Sequence, residues 1–136
     1  MSPISLLDAS AILAFLQSEP GQDQVRLALQ STQCMVSAAN QAEIIAKALD
    51  RGGDKDIIQR ILAELDYTVI DTLAEDGAQA GWLRAATRHL GLSLGDRLCL
   101  ATAQRLKSQV LTTDRDWLKL ATELGLDIVC VRPDKH

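Results

Sequence analysis

Hydrophobic residues occur along this chain in two patterns, as short runs and as longer segments in which they recur at regular intervals. Short, mostly apolar runs predict five strands: ISLLD (4–8), CMVS (34–37), YTVID (67–71), QVLTT (109–113) and DIVCVR (127–132). The segments between them repeat apolar residues every three or four positions, as amphipathic helices do. Alternating strands and helices favour right-handed crossovers and a parallel sheet covered on both faces. The pattern predicts an α/β fold, a three-layer α/β/α sandwich with a central parallel sheet of about five strands.

The ends of the helices are predicted from glycine, proline and capping residues. The predicted helices cover 9–19, 22–31, 38–51, 54–66, 73–90, a segment that begins after Ser93, and 116–125. Pro20-Gly21 ends the first of them, and Gly91 follows the fifth. No linker, repeat or low-complexity tract interrupts the order, so residues 1–136 are interpreted as one domain.

The composition narrows the class of protein. Hydrophobic residues make up 47% of the chain, which is typical of a compact globular domain. No apolar run is as long as a bilayer span and the first residues, MSPIS, carry no basic segment, so we expect no membrane association and a cytoplasmic location. The chain has three cysteines, an odd number, and they are widely spaced: Cys34, Cys99 and Cys130. This pattern predicts free thiols packed in the core.

The net charge and the aromatic content of the chain do not favour a nucleic-acid-binding protein. The formal net charge is −4 and aromatic residues make up only 3% of the chain, so a broad basic face or a base-stacking platform is not expected. The candidate cations for phosphate contacts lie in neighbouring helices, although each is also compatible with an ordinary solvated helical face: Arg84, Arg88, Arg97, Arg105 and Lys107. Trp82 and Trp117 each stand beside a leucine and are predicted to pack in the core.

The segment LSLGDRLCLATA (92–103) places an acid on an apolar helical stripe. Asp96 lies four residues before Leu100 and seven before Ala103, so all three share one face of a helix. A structural explanation is available, because Ser93 and Asp96 have the spacing of a capping box at a helix start.

Three further acids lie near the ends of predicted strands. Asp8 ends the first strand, Asp114 follows the fourth with Asp116 behind it, and Glu43 lies in the helix that leaves the second strand. Each has a structural alternative, since Asp8 and Asp114 can cap helices and Glu43 can pair with Lys47. In a parallel sheet, however, all the strand ends open onto one edge, where crowded carboxylates repel one another unless a cation is bound.

The residue types around these acids predict the kind of cation. The only histidines are His89 and His136 and the cysteines are scattered, so the ligands are oxygens, which suit Mg²⁺ or Mn²⁺ better than zinc. The same shortage of histidine argues against a Ser–His–Asp triad. Carboxylates that hold a divalent cation, with no other nucleophile, favour attack of activated water on a phosphodiester.

Four motifs in this order resemble the PIN-domain ribonucleases, and most closely the VapC-type toxins of bacterial toxin–antitoxin pairs. They are LLDASA with Asp8, NQAE with Glu43, LGDRLCLATA with Asp96 and LTTDRDW with Asp114, and the resemblance covers nearly the whole chain. It implies that these four acids are catalytic, and that Asp8, Asp96 and Asp114 bind the metal, with Asp116 as a secondary ligand.

The resemblance also implies supporting residues, a cofactor and partners. Ser10, Asn40 and Thr112 occupy polar positions that steady the metal cluster in this family. The implied activity is Mg²⁺- or Mn²⁺-dependent cleavage of RNA by a homodimer that a small antitoxin neutralises. We predict the amphipathic segment 40–66 as the surface for antitoxin and dimer contacts, through Ile57, Ile58, Ile61, Leu62 and Leu65.

Acids at strand ends also occur in proteins with other functions, and we consider three of these as alternatives. A receiver-type phospho-acceptor domain would need an early acidic pair and a lysine after a late strand, and neither is present. A phosphatase with an aspartyl nucleophile would need a second acid two residues after Asp8, where Ser10 stands. A PIN-like module that binds RNA or protein without cleavage remains open, although all four acids are present.

Overall fold

The computed structural model describes residues 4–132. The strands are β1 (Ile4–Leu7), β2 (Gln33–Ser37), β3 (Tyr67–Ile70), β4 (Gln109–Thr112) and β5 (Ile128–Cys130). The helices are α1 (Ala9–Leu16), α2 (Gln22–Ser31), α3 (Ala38–Asp50), α4 (Lys55–Glu64), α5 (Ala74–Thr87), α6 (Leu94–Leu106) and α7 (Ala121–Leu124). Short 3₁₀ segments cover Arg88–Leu90 and Arg115–Leu120. No helix within residues 4–132 is long and apolar enough to cross a membrane.

All five strands pair in parallel, in the order β3-β2-β1-β4-β5. The chain builds the sheet from β1 outward to β3, and then returns to the other side of β1 to add β4 and β5. The carboxyl ends of β1 and β4 therefore form the topological switch point, the position at which open α/β sheets bind ligands. The backbone N–H of Asp8 continues this pairing by donating to the Leu111 carbonyl at 3.1 Å.

Two apolar layers cover the sheet, one on each face. Leu6 and Val110 point into a core with α5, α6 and the fully buried Trp117. Their neighbours Leu7 and Leu111 point to the opposite face and pack against α1, α2 and α3. This alternation follows from the two-residue period of a strand, and it produces the α/β/α sandwich that the sequence predicts.

Several predicted boundaries differ from the structure. α1 ends at Leu16 rather than at residue 19, because the backbone turns through Ser18 at φ 53° before Pro20. The predicted helix 73–90 is α5 followed by a 3₁₀ segment, and the first half of the predicted helix 116–125 is 3₁₀, followed by α7. The prediction that both tryptophans are in the core is right for Trp117 and wrong for Trp82, which is 79% exposed on the outer face of α5.

Candidate functional site

Asp8 is the most buried of the predicted site acids. It is the N-cap of α1, where its Oδ1 accepts the Ala11 N–H at 2.8 Å, so the capping role that the sequence allows is present. The Ser10 hydroxyl donates to the same carboxylate at 2.7 Å, and the Thr112 hydroxyl donates to Oδ2 at 2.6 Å. Burial, with a smaller contribution from the charge of Asp96, raises the pKa of Asp8 to about 6 against the lowering effect of these hydrogen bonds.

Glu43 is positioned by a ladder of polar side chains along one face of α3. Ser37 caps the helix and donates its hydroxyl to Asn40 Oδ1 at 2.9 Å. The buried Asn40 amide then donates to Glu43 Oε1 at 2.6 Å and to the Gly95 carbonyl of α6 at 3.2 Å. Asn40 thus joins the helix that carries Glu43 to the helix that carries Asp96. No ion pair between Glu43 and Lys47 is present, so the structure does not support the alternative role of Glu43 as half of a surface pair.

Asp96 starts α6 in a complete capping box. Its Oδ2 accepts the Ser93 N–H at 3.0 Å, and the Ser93 hydroxyl accepts the Asp96 N–H at 3.1 Å. The cap fixes the rotamer of Asp96, and its other carboxylate oxygen, Oδ1, accepts no hydrogen bond from the residues that the structure describes. A capping role and a ligand role are therefore compatible at this residue.

Gly95 is a part of the site that the sequence motifs did not single out. A Cβ at this position would lie 2.5 Å from both carboxylate oxygens of Glu43, so the absence of a side chain lets Glu43 lie against the backbone of α6. The available signal was a glycine inside a helix, directly before Asp96, where no turn requires one. Ser37 was also missed, because a serine at a helix start is common as a simple cap.

Asp114 is linked to Asp8 through one threonine. The Thr112 hydroxyl that donates to Asp8 also accepts the Asp114 N–H at 3.1 Å. The Asp114 carboxylate is exposed and caps the next 3₁₀ segment by accepting the Asp116 N–H at 2.9 Å. Asp116 is also exposed, and its Oδ1 forms an ion pair with Lys119 at 3.1 Å.

The charges of acids from three separate elements act on one buried thiol. Cys99 lies one turn after Asp96 on the buried side of α6. Burial raises the pKa of the Cys99 thiol well above its ordinary value, and the charges of Asp8, Asp96 and Glu43 raise it further. The structure thus brings these three acids to one region at the switch point. Within residues 4–132, however, no three His, Cys, Asp or Glu side chains meet closely enough to enclose a metal ion.

The donor chemistry of this region fits a hard cation. The carboxylates come from the N-terminus of α1, the middle of α3 and the N-terminus of α6, and their oxygens are the ligands that Mg²⁺ and Mn²⁺ prefer. In the described part of the chain no lysine or arginine pairs with Asp8, Glu43 or Asp96. The buried negative charge of Asp8 is therefore offset only by hydrogen bonds, and a bound cation would stabilise it.

The predicted phosphate contacts of α5 and α6 are partly wrong. Arg105 forms an ion pair with Asp76 at 2.8 Å, and Arg97 donates to the Ala80 carbonyl at 2.9 Å, so both connect α6 to α5. Lys107 precedes β4 and therefore lies at the amino edge of the sheet, opposite the acids. Arg84 and Arg88, like Lys107, are exposed and make neither of these contacts.

Solved structures with the same fold include chains of bacterial toxin–antitoxin complexes. A toxin–antitoxin complex from Klebsiella pneumoniae matches with a TM-score of 0.71 at 19% identity, over 96% of this chain and 99% of that one. VapBC-1 from nontypeable Haemophilus influenzae gives 0.70 at 18% identity, over 94% and 98%. VapC20 from Mycobacterium tuberculosis, described as a toxin that cleaves the sarcin–ricin loop, gives 0.70 at 18% identity, over 95% and 99%.

The comparison of the sequence with family models shows to which protein family the chain belongs. A comparison with curated proteins gave no match. The family model described as PIN domain matches residues 5–123, a range that includes all four predicted acids and the residues that hold them. With the parallel sheet, the acids at its switch point and this match, the chain belongs to the PIN-domain family.

Proposed function

We propose that this protein is a Mg²⁺- or Mn²⁺-dependent endoribonuclease and the VapC-type toxin of a toxin–antitoxin pair. The observation that carries the proposal is the placement of three acids in one region at the switch point: Asp8 caps α1, and Asn40 ties Glu43 to the start of α6, beside Asp96. No lysine or arginine of the described chain pairs with any of the three. A purely structural set of caps gives no reason for carboxylates of three elements to lie together. The fold similarity to VapC20 supports RNA as the class of substrate.

The proposed ligands are Asp8, Asp96 and Asp114, with Asp116 in a secondary role. A divalent cation held by such carboxylates lowers the pKa of water and neutralises charge on the phosphodiester. Ser10 and Thr112 hold the Asp8 carboxylate in one orientation through their hydroxyl groups.

Glu43 is proposed to accept the proton of the attacking water. Its Oε1 is held by Asn40, whereas Oε2 accepts no hydrogen bond from any residue between 4 and 132. Oε2 is therefore the oxygen available for proton transfer, and Asn40 supplies the orientation that this role requires.

The experiment that tests the proposal is cleavage of bacterial total RNA by the purified protein. We expect cleavage with Mg²⁺ or Mn²⁺ and none with EDTA. Asp8→Asn, Glu43→Gln, Asp96→Asn and Asp114→Asn should each lower the rate on the order of a hundredfold or more. Asp116→Asn should lower it less, because its carboxylate already pairs with Lys119.

The matched control is Asp127→Asn, which removes an exposed acid just before β5, at the amino edge of the sheet. It should leave cleavage unchanged. RNA binding without cleavage by the wild type under every metal condition would favour the PIN-like binding module. Full activity in any one of the four variants would remove that residue from the site.

The antitoxin partner and the homodimer are proposed to use the α3–α4 surface. An apolar groove of about 240 Å³ runs between α1, α3 and α4, and its lining includes Leu13, Leu16, Ile57 and Ile61. Ile57 and Ile61 are 50% and 44% exposed, which is unusual for isoleucine and typical of a contact surface. Ile58, from the same predicted stripe, is instead a buried core residue.

Ile57→Asp and Ile61→Asp test this surface with little risk to the fold, because both side chains are largely exposed. Expression of the wild type in a bacterium should slow growth, and co-expression of its antitoxin should restore it. The two variants should escape neutralisation or elute as monomers in size-exclusion chromatography. If both variants are neutralised and dimerise normally, the α3–α4 surface is not the interface.

A further inference from the structure

A cavity of about 450 Å³ opens beside the candidate site, between α1, α3 and the segment after β5. Its inner wall contains Ser10 and Thr113. Ser10 donates its hydroxyl to Asp8, and the Thr113 N–H donates to the Ser10 hydroxyl at 3.1 Å. The cavity is therefore continuous with the residues that hold the most buried acid of the site.

Three cations line this cavity, and they come from two distant parts of the chain. Lys47 and Arg51 follow Glu43 along α3 at intervals of four residues, so the three side chains share one face, spaced about 6 Å apart along the helix axis. Arg132 reaches the same cavity from the segment after β5. All three are exposed, and none forms an ion pair with another residue of the described chain.

A purely structural explanation covers only part of this arrangement. Cations in the last turn of a helix interact favourably with its dipole, which accounts for Lys47 and Arg51 at the end of α3. It does not account for Arg132, which belongs to no helix and faces the same space. Glu19 and Asp50 also line the cavity, so its net charge is small and an anion would be bound by individual contacts rather than by a broad basic field.

We propose that Lys47, Arg51 and Arg132 form a subsite for backbone phosphates of the RNA strand that flanks the bond to be cleaved. The proposal rests on the ribonuclease function proposed above. It states on which side of the site the bound RNA strand extends beyond the bond to be cleaved. Glu43 faces the reacting centre, and the next two positions of the same helix face carry the cations that would hold the adjacent phosphates. This subsite replaces the phosphate contacts considered from the sequence for Arg97, Arg105 and Lys107. Arg97 and Arg105 are bound to α5, and Lys107 lies at the opposite edge of the sheet.

The test measures RNA binding separately from cleavage. Fluorescence anisotropy of a short labelled single-stranded RNA of mixed sequence, recorded in EDTA, compares the wild type with Lys47→Gln, Arg51→Gln and Arg132→Gln. Each substitution should weaken binding several-fold at low salt. Each should also lower the slope of log affinity against log salt by about 0.7, the value for one phosphate contact on a single strand.

The matched control is Lys107→Gln, which removes one exposed cation at the opposite edge of the sheet. It should leave both the affinity and the salt slope unchanged. An equal loss in Lys107→Gln would show an effect of net charge alone and would overturn the subsite. Unchanged binding in all three cavity variants would also overturn it, and would make a protein partner the occupant to test.

Cleavage in Mn²⁺ distinguishes this proposal from the proposed function. If the wild type cleaves RNA while the cavity variants bind and cleave it normally, the subsite is wrong and the ribonuclease function stands. If the variants bind RNA more weakly but the wild type cleaves none, the subsite stands and the ribonuclease function is wrong. In a cleaving enzyme the substitutions should raise KM and leave kcat nearly unchanged, because the three side chains contact flanking phosphates only.

Discussion

Two buried aspartates of this protein have opposite electrostatic surroundings. Asp8, at the switch point, is 4% exposed, and Asp76, in α5, is 1% exposed. Asp76 accepts two hydrogen bonds from Arg105 of α6, at 2.8 and 3.0 Å, and one from the Leu73 N–H at 2.9 Å. Asp8 accepts hydrogen bonds from neutral donors alone.

The pKa values of the two residues move in opposite directions. Burial raises the pKa of both carboxyl groups, but for Asp76 the hydrogen bonds and charge of Arg105 more than offset burial, so its pKa lies below the ordinary value. For Asp8 burial outweighs the hydrogen bonds and the pKa is about 6. The fold supplies a cation where an acid is structural and supplies none where the acid is available to bind something else.

Loss of the Arg105 cation should have the largest effect on stability. Arg105→Met leaves Asp76 buried and unpaired, which destabilises a protein by about 3–5 kcal/mol. Because the Arg105 side chain is 25% exposed, we expect the lower end of that range in urea denaturation. The double variant with Asp76→Leu should recover much of the loss. A cost below about 1 kcal/mol for Arg105→Met would show that Asp76 does not depend on its partner.

A divalent cation should stabilise the Asp8 region and not the Asp76 pair. Mn²⁺ at a hundredfold excess over its Kd should raise the free energy of unfolding of the wild type by about 2.7 kcal/mol. The rise, measured as a shift in Tm, should shrink sharply in Asp8→Asn and persist in the Asp76→Leu/Arg105→Met double variant. Equal shifts in the wild type and Asp8→Asn would exclude Asp8 as a ligand.

The raised pKa of Asp8 predicts a pH dependence with a definite sign. Between the ordinary value of 3.8 and about 6, the folded protein keeps the Asp8 proton while the unfolded chain has released it. Metal-free stability should therefore fall as pH rises through this window and show no further contribution from Asp8 above it. The upper limit of the change is about 3 kcal/mol.

The difference between the wild type and Asp8→Asn isolates this contribution from other titrating groups. The amide retains the cap to Ala11, so the variant should be the more stable protein at pH 7 without metal. Identical pH profiles of unfolding free energy would show that Asp8 titrates normally. Asp76 should behave in the opposite way, because its stabilising contribution is present above the ordinary pKa and is lost as pH falls.

Gly95→Ala should have the smallest effect on stability and still lower activity. A methyl group there displaces the Glu43 carboxylate, a flexible side-chain end, while alanine favours the helix by about 0.5–1 kcal/mol, so the net change in unfolding free energy should stay below about 1 kcal/mol. Gly81→Ala is the control, since its Cβ would meet nothing within 4 Å. RNA cleavage should fall in Gly95→Ala alone. Full activity in it would mean that the position of Glu43 is not critical.

The sequence by itself determined the architecture and the order of the acids. The strand pattern depends on local periodicity, so all five strands are found, and the α/β/α class is confirmed. Helix ends were less accurate, because the 3₁₀ turns at Arg88–Leu90 and Arg115–Leu120 depend on packing rather than on residue type. The family resemblance to PIN domains is confirmed over residues 5–123, since its motifs occur in linear order along the chain.

Only the tertiary structure decided which charged side chains form ion pairs and which do not, among the residues that it describes. No sequence pattern distinguishes Arg105, which pairs with an acid 29 residues earlier, from Lys47, which has no ion-pair partner among residues 4–132. The contact of Glu43 with Gly95, and the exposure of Trp82, likewise depend on how α3, α5 and α6 pack on the sheet. Electrostatic energy depends on distance and burial in space, whereas the sequence specifies only the charges and their spacing along the chain.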